Sequence, residues 1–250
     1  MGASAFMAAT FALPGIAIGS FLNVVVSRVP LRLPIGTSRS RCMSCSANIA
    51  ARDNVPVVSY LLLRGRCRAC HSAIPRRYPA VEATTALLVA GCGLVFGLTL
   101  DAVVAAVFYV VLVAISAIDI EHRIVPNRIV IPAAAAALVT QTVLQPGPEW
   151  AIAAAGAATF LFLAALAYPK GMGMGDVKLA LLLGAILGNL VVVALMIAVL
   201  SALVPAAVLA ARHGGAARKM SIPFAPLLAF GAVVTLFAGD GILDWYVGIF

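Results

Sequence analysis

Long, almost uncharged apolar runs recur from one end of this 250-residue chain to the other, and that recurrence leaves few folds open. Eight runs stand out: 6–26, 82–100, 102–118, 128–145, 150–168, 177–188, 190–211 and 223–239. As helices, runs of this kind span a hydrocarbon core ~30 Å thick, where every backbone polar group must be satisfied within the segment. The chain is 63% apolar and 10% charged. A soluble domain has about half its residues apolar and a quarter charged. These features predict an all-α polytopic membrane protein with about eight transmembrane helices. The first run lacks a basic n-region and a convincing cleavage site, so it reads as a retained span.

Charge placement tests this division. The loops 27–81, 119–127, 169–176 and 212–222, extended slightly into adjoining helix ends, hold all 17 lysines and arginines. The opposite side carries Asp101, Glu149, Asp240 and Asp244. Basic loops face the cytosol, which puts both termini outside. Merging the sixth and seventh runs across Gly188 and Asn189 would strand Arg212, Arg218 and Lys219 on the wrong side. The net charge of +8 thus records membrane orientation rather than nucleic-acid binding. The expected organisation is a first span over 1–26, a cytosolic loop domain over 27–81 and a seven-helix membrane domain over 82–250.

The 27–81 loop is too small for a large core of its own and needs a staple. It supplies one in "CMSC" (Cys42, Cys45) and "CRAC" (Cys67, Cys70), two Cys-x-x-Cys pairs with 21 residues between them. Four thiolates in that pattern match a structural zinc site, and a cytosolic face disfavours disulfides. Four unconnected thiols or a redox pair are the alternatives. His71 is a possible substitute ligand, and Cys92, within an apolar run, reads as a small buried residue.

Two aspartates sit at predicted membrane edges. Asp119 lies in "SAIDIEHRIVPN" and Asp176 in "KGMGMGDVKL", with 56 residues between them, enough for one helical hairpin out and back. Both carboxylates therefore return to the cytosolic edge. Two acids in a poorly solvated site share a proton; the charged one can deprotonate water while the protonated one polarises a peptide carbonyl. Gly171, Gly173 and Gly175 would let a substrate strand approach. Lys178 would tune Asp176 or meet a lipid phosphate, and Glu121 is the competing acid. Ordinary loop acids beside helix-packing glycines remain the alternative.

These segments resemble the bacterial prepilin peptidases (type IV leader peptidases), which are Gly-x-Gly-Asp intramembrane aspartic proteases. "GMGD" (Gly173–Asp176) fits the signature, and "IDIEHRIVPN" resembles the segment carrying the other aspartate. "GSFLNVVVSRVP", the doubled Cys-x-x-Cys, "RRYPAVE" and "IPFAPLLAFG" follow in register, from Gly19 to Gly231. "CMSC" departs from the pattern, since many members have proline after the first cysteine. The resemblance implies cleavage of prepilins and pseudopilins after a short basic leader, then N-methylation with S-adenosylmethionine. It gives Asp119 and Asp176 the catalytic roles and Cys42, Cys45, Cys67 and Cys70 the metal roles. Asn23, Arg28 and Glu82 resemble family positions for which structural roles are expected. The loop's ten arginines would repel a basic leader and are expected to face anionic lipid, leaving Asp53, Glu121 or Glu82 to read the leader. The competing classes are a transporter or channel using the paired acids, and a non-catalytic zinc-bearing anchor for pilus assembly.

Overall fold

The computed structural model describes residues 2–36, 40–168, 172–214, 220 and 222–248, with the side chains of 2–5, 240, 246 and 247 left aside. Arg39, Lys170, Gly171, Arg218 and Lys219 lie outside the described residues. Among those described, the helices are α1 (Gly2–Arg28), α2 (Val58–Leu62), α3 (Arg77–Phe96), α4 (Leu100–His122), α5 (Asn127–Leu144), α6 (Glu149–Ala167), α7 (Met174–Leu187), α8 (Val191–His213) and α9 (Ala225–Val247). All but α2 are long and apolar, so the all-α membrane architecture holds. Six segments meet the length and hydropathy of a membrane span; one of them is the 40-residue run Met174–His213, and Ala225–Gly239 is a shorter apolar stretch.

That 40-residue run is two helices. Gly188 adopts φ +54, a conformation open to glycine and strained for residues with a Cβ, and a 3-10 turn over Gly188–Leu190 separates α7 from α8. A Cβ here would also meet the Trp150 ring at 2.9 Å. The expected turn before the seventh run is therefore present. Helix ends move outward where polar residues can continue the backbone ladder: α3 starts at Arg77, five residues before the apolar run, and α9 runs on to Val247.

The chain divides into two compact units, Met1–Ala117 and Ile118–Phe250. In the first, Asn23 on α1 donates to Glu82 Oε1 on α3 at 3.3 Å and to the Tyr78 carbonyl at 3.1 Å. Glu82 Oε2 accepts the Val57 N–H at 2.7 Å, tying the loop ahead of α2 to the head of α3. Arg28 Nη1 reaches the carbonyls of Pro34 and Ile35, both at 3.1 Å. These are the structural roles expected for Asn23, Glu82 and Arg28.

In the second unit, small residues set the packing. Lipid offers apolar contact as good as any side chain, so helices in a membrane associate through close backbone approach. Gly184 on α7 lies so near α6 that a Cβ would fall 2.5 Å from Ala153 O and Ala154 Cα. The buried face of α6 is Ala153, Ala154, Ala157, Leu161 and Ala165, four alanines that admit that approach.

Candidate active site and cysteine cluster

Both flagged aspartates fall in the second unit, and both are buried, at 6% and 9% exposure for Asp119 and Asp176. Asp119 occupies the last turn of α4, where the helix's own partial negative charge disfavours an acid. Its Oδ2 instead accepts the backbone N–H of Ala225, the first residue of α9, at 3.2 Å. The first N–H groups of a helix have no partner within it and favour negative charge. Asp119 thus sits against the C-terminal end of its own helix and is held by the N-terminal end of another.

Asp176 solves the same problem locally. Gly173, in extended conformation (φ −93, ψ 154), ends the preceding loop, and its N–H donates to Asp176 Oδ2 at 3.2 Å. The acid in the first turn of α7 complements the helix dipole and caps the turn by reaching back three residues. A cavity of about 250 Å³ takes in both carboxylates, together with Val125, Asn127, Gly175 and Lys178.

The glycines divide. A Cβ on Gly175 would fall 2.8 Å from Val125 Cβ and 3.0 Å from its Cγ2, so this glycine lets the two segments of the site close on each other. A Cβ on Gly173 would meet only Asp176 Oδ2 and the Gly175 nitrogen, both at an ordinary 3.8 Å. Lys178 does not pair with Asp176; its Nζ donates to Asn127 Oδ1 at 2.8 Å across 51 residues. Glu121 is exposed and is not among the residues that line the cavity. The Ala225 N–H is the contact sequence reasoning missed, because no side-chain pattern announces a backbone donor. The nearest sign of it was the proline-flanked "IPFAP" run.

In the first unit, the four loop cysteines converge with all Sγ atoms within 4.8 Å of one another. Cys42 and Cys70 Sγ stand 3.8 Å apart. A tetrahedral site with Zn–S ~2.3 Å has edges of ~3.8 Å, so the spacing suits that ion's geometry. The two Cys-x-x-Cys pairs fold alike. Cys42 N–H bonds Ala47 O and Ser46 N–H bonds Cys42 O; Cys67 N–H bonds Ser72 O and His71 N–H bonds Cys67 O, all at 2.9 Å. Isolated bridges Arg41–Asn48 and Arg66–Ala73 close each turn. His71 is exposed, lies outside the thiol group and matches Ser46 as the turn residue with positive φ, +57 against +58. Its place is in the turn.

Backbone N–H groups of Cys45 and Ser44, with the Ser72 hydroxyl, push the Cys42 thiol down to about 6, into thiolate territory at neutral pH. The Ser72 hydroxyl and backbone N–H also lower Cys70. Cys45 is raised to about 11: an Ala47 backbone bond favours its thiolate, but Cys70, burial and the other thiols outweigh it. Arg68, between the second pair of cysteines, forms a two-pronged bridge to Asp53 at 2.6 and 2.8 Å. The guanidinium holds Asp53 below the usual carboxylate range. Cys92 is fully buried, as expected.

Asp53 is paired with Arg68, and Glu82 accepts from the Val57 N–H and from Asn23.

Residues 13–96 match the Bacterial Peptidase A24 N-terminal domain, and residues 106–211 match the Type IV leader peptidase family. The prepilin leader peptidase/N-methyltransferase of Bacillus subtilis (strain 168) is 36% identical over 241 residues, covering 93% of this chain and 95% of the relative. Its namesake in Legionella pneumophila is 30% identical, covering 97% and 95%, and that of Burkholderia pseudomallei (strain 1026b) is 34% identical, covering 90% and 83%. No solved structure matches. Neither a transporter nor a non-catalytic anchor is favoured by these relatives. With two buried aspartates opening on one cavity, a converged set of four thiols and near full-length likeness to these proteins, the chain belongs to the type IV leader peptidase family.

Proposed function

We infer that this protein is a membrane aspartic endopeptidase that removes the basic leader from type IV prepilins and pseudopilins and then N-methylates the new N-terminus. The observation that carries the first activity is the shared cavity of Asp119 and Asp176, each carboxylate bonded to a backbone N–H at a helix start. One aspartate takes a proton from water as the oxygen attacks the scissile carbonyl carbon. The other, protonated, donates to the carbonyl oxygen. Collapse of the tetrahedral species breaks the C–N bond, and the departing nitrogen is protonated within the pair. The backbone bonds orient the two carboxylates so that both need not be positioned by substrate. Gly173, Gly175 and Lys178 form the lip over which the substrate strand passes.

The cytosolic placement of the 27–81 loop, with both termini outside the inner membrane, is supported by the basic loops. A prepilin with a basic cytosolic leader and an apolar helix presents its scissile bond at that membrane edge. In this division, 1–26 is the first span, 27–81 the metal-stapled loop domain and 82–250 the peptidase domain. Cys42, Cys45, Cys67 and Cys70 would hold a zinc ion, which supplies a structural cross-link for a loop with little core of its own. S-adenosylmethionine would supply a methyl group to the amine freed by cleavage, its S–CH3 bond breaking as the neutral thioether S-adenosylhomocysteine leaves. The amine is uncharged when it attacks and loses its proton afterwards.

The test is purified protein with a model prepilin beside Asp119→Asn and Asp176→Asn. Each substitution should lower the cleavage rate by roughly 10³-fold or more with membrane insertion intact, whereas Glu121→Gln should stay within about twofold of wild type. Substantial cleavage by either aspartate variant removes that residue from the pair.

A further inference from the structure

A second cavity lies in the loop domain, far along the chain from the aspartates. It measures about 510 Å³, within the ~300–1,000 Å³ range of small-ligand sites. Arg64, Arg66 and Arg76 line it, together with Tyr60, Ile74 and Pro75. Among the described residues, none of the three guanidiniums makes a side-chain hydrogen bond or ion pair. The two acids of the unit nearest in sequence are already engaged, Asp53 by Arg68 and Glu82 by the Val57 N–H. Three exposed guanidiniums around one cavity, with no carboxylate paired to them among the described residues, attract an anion.

The backbone under them is well tied. Gly65 N–H bonds Tyr60 O and Ile74 N–H bonds Gly65 O, both at 2.8 Å, and Arg66 pairs with Ala73 in an antiparallel bridge. Arg64 is held at φ +49, a left-handed conformation that an arginine adopts at a cost. Arg76 is the residue directly before α3, a helix long and apolar enough to cross a membrane. The cavity therefore stands beside the head of a candidate span, and apolar residues line it together with the three arginines.

We propose that Arg64, Arg66 and Arg76 form a binding site for the phosphodiester headgroup of an anionic phospholipid, which anchors the loop domain at the membrane surface. This rests on the membrane placement given above. Guanidinium pairs with phosphate oxygens through paired N–H donors, and each of a diester's two non-bridging oxygens can accept from more than one of them. S-adenosylmethionine is the poorer occupant: with a sulfonium, an ammonium and one carboxylate it carries a net positive charge into a basic cavity. A lipid here would hold the loop domain by one site, whereas arginines spread over a surface would attract a leaflet without a preferred headgroup.

The experiment uses the full chain purified in detergent and offered phosphatidylglycerol or phosphatidylcholine, with retained lipid counted by native mass spectrometry. Wild type should retain one phosphatidylglycerol in preference to phosphatidylcholine. Arg64→Gln/Arg66→Gln/Arg76→Gln should lose at least about tenfold in retention. Arg32→Gln/Arg52→Gln/Arg212→Gln, which removes the same charge elsewhere, should change it less than twofold. Metal content and helical circular dichroism report the fold. If the triple variant fails them, single substitutions at Arg64 and Arg66, each expected to weaken retention severalfold, carry the test. Equal loss in the two triple variants means diffuse attraction and overturns the site. So does inorganic phosphate or S-adenosylmethionine binding to lipid-free protein that is lost in the pocket variant while phosphatidylglycerol retention is unchanged. Prepilin cleavage is assayed in parallel: cleavage without lipid retention rejects the pocket and keeps the peptidase, and retention without cleavage does the reverse.

Discussion

Asp119 Oδ2 and the backbone N–H of Ala225 meet at 3.2 Å although they lie 106 positions apart in the chain. The contact joins the last turn of α4 to the first residue of α9, so a carboxylate poorly placed for its own helix is oriented by the free N–H of another. The "IPFAP" run that leads into α9 thereby becomes part of the proposed peptidase site without giving it a side chain.

Ala225→Pro removes that N–H at a helix position where proline is tolerated. We expect kcat for prepilin cleavage to fall about tenfold or more with KM little changed, because a positioning contact is lost rather than a binding one. Ala225→Gly keeps the donor and should retain most activity. The comparison is steady-state cleavage by both variants, with circular dichroism as the fold control. Equal activity in Ala225→Pro and wild type would assign Asp119's orientation to something else.

Gly175→Ala should inactivate cleavage, since the new Cβ would fall 2.8 Å from Val125 Cβ. If the cause is that collision, Val125→Gly in the same chain removes the atoms it meets and restores activity. Val125→Ala leaves the Cβ in place and restores less. The readout is cleavage by the three proteins side by side. No recovery in the Val125→Gly double variant would indicate that Gly175 serves the substrate strand directly.

One zinc per chain is expected from the four converged thiols, and Cys42→Ser/Cys67→Ser should abolish it. Metal analysis checks the stoichiometry. Because such an ion is the loop's cross-link, its removal by chelator should expose the loop to protease before the helices melt. Metal-free protein with a protease-resistant loop and four freely alkylated cysteines would contradict the zinc assignment.

Cleavage and methylation should separate. The aspartates need only water and a peptide bond, whereas methyl transfer needs a free amine and a soluble donor arriving from the cytosol. Asp176→Asn given pre-cleaved pilin and labelled S-adenosylmethionine should still label the N-terminus, while Cys42→Ser should reduce labelling more than cleavage. Loss of labelling in Asp176→Asn with an intact fold would show that the two activities share residues. No labelling by wild type would withdraw the second activity and leave the peptidase.

Much of this protein was legible from residue order, for a physical reason. Span count and charge bias depend on local composition, so hydropathy and the 17 basic residues sufficed to separate α7 from α8 at Gly188. Cys-x-x-Cys spacing is likewise local, because two thiolates three apart on a tight turn already half-enclose an ion. The aspartates could be found as acids at membrane edges, and hairpin arithmetic returned both to one side. What the order of residues could not supply were pairings set by how helices stack: Asp119 with the Ala225 N–H, Gly175 with Val125, Lys178 with Asn127, and Glu82 with the Val57 N–H. Three of these involve backbone atoms or a missing side chain, which every residue type shares or hides. Lys178 shows the limit from the other side. Its charge and nearness in sequence suggested Asp176, but the fold brought an asparagine 51 residues away within 2.8 Å, and the closer acceptor took the proton donor.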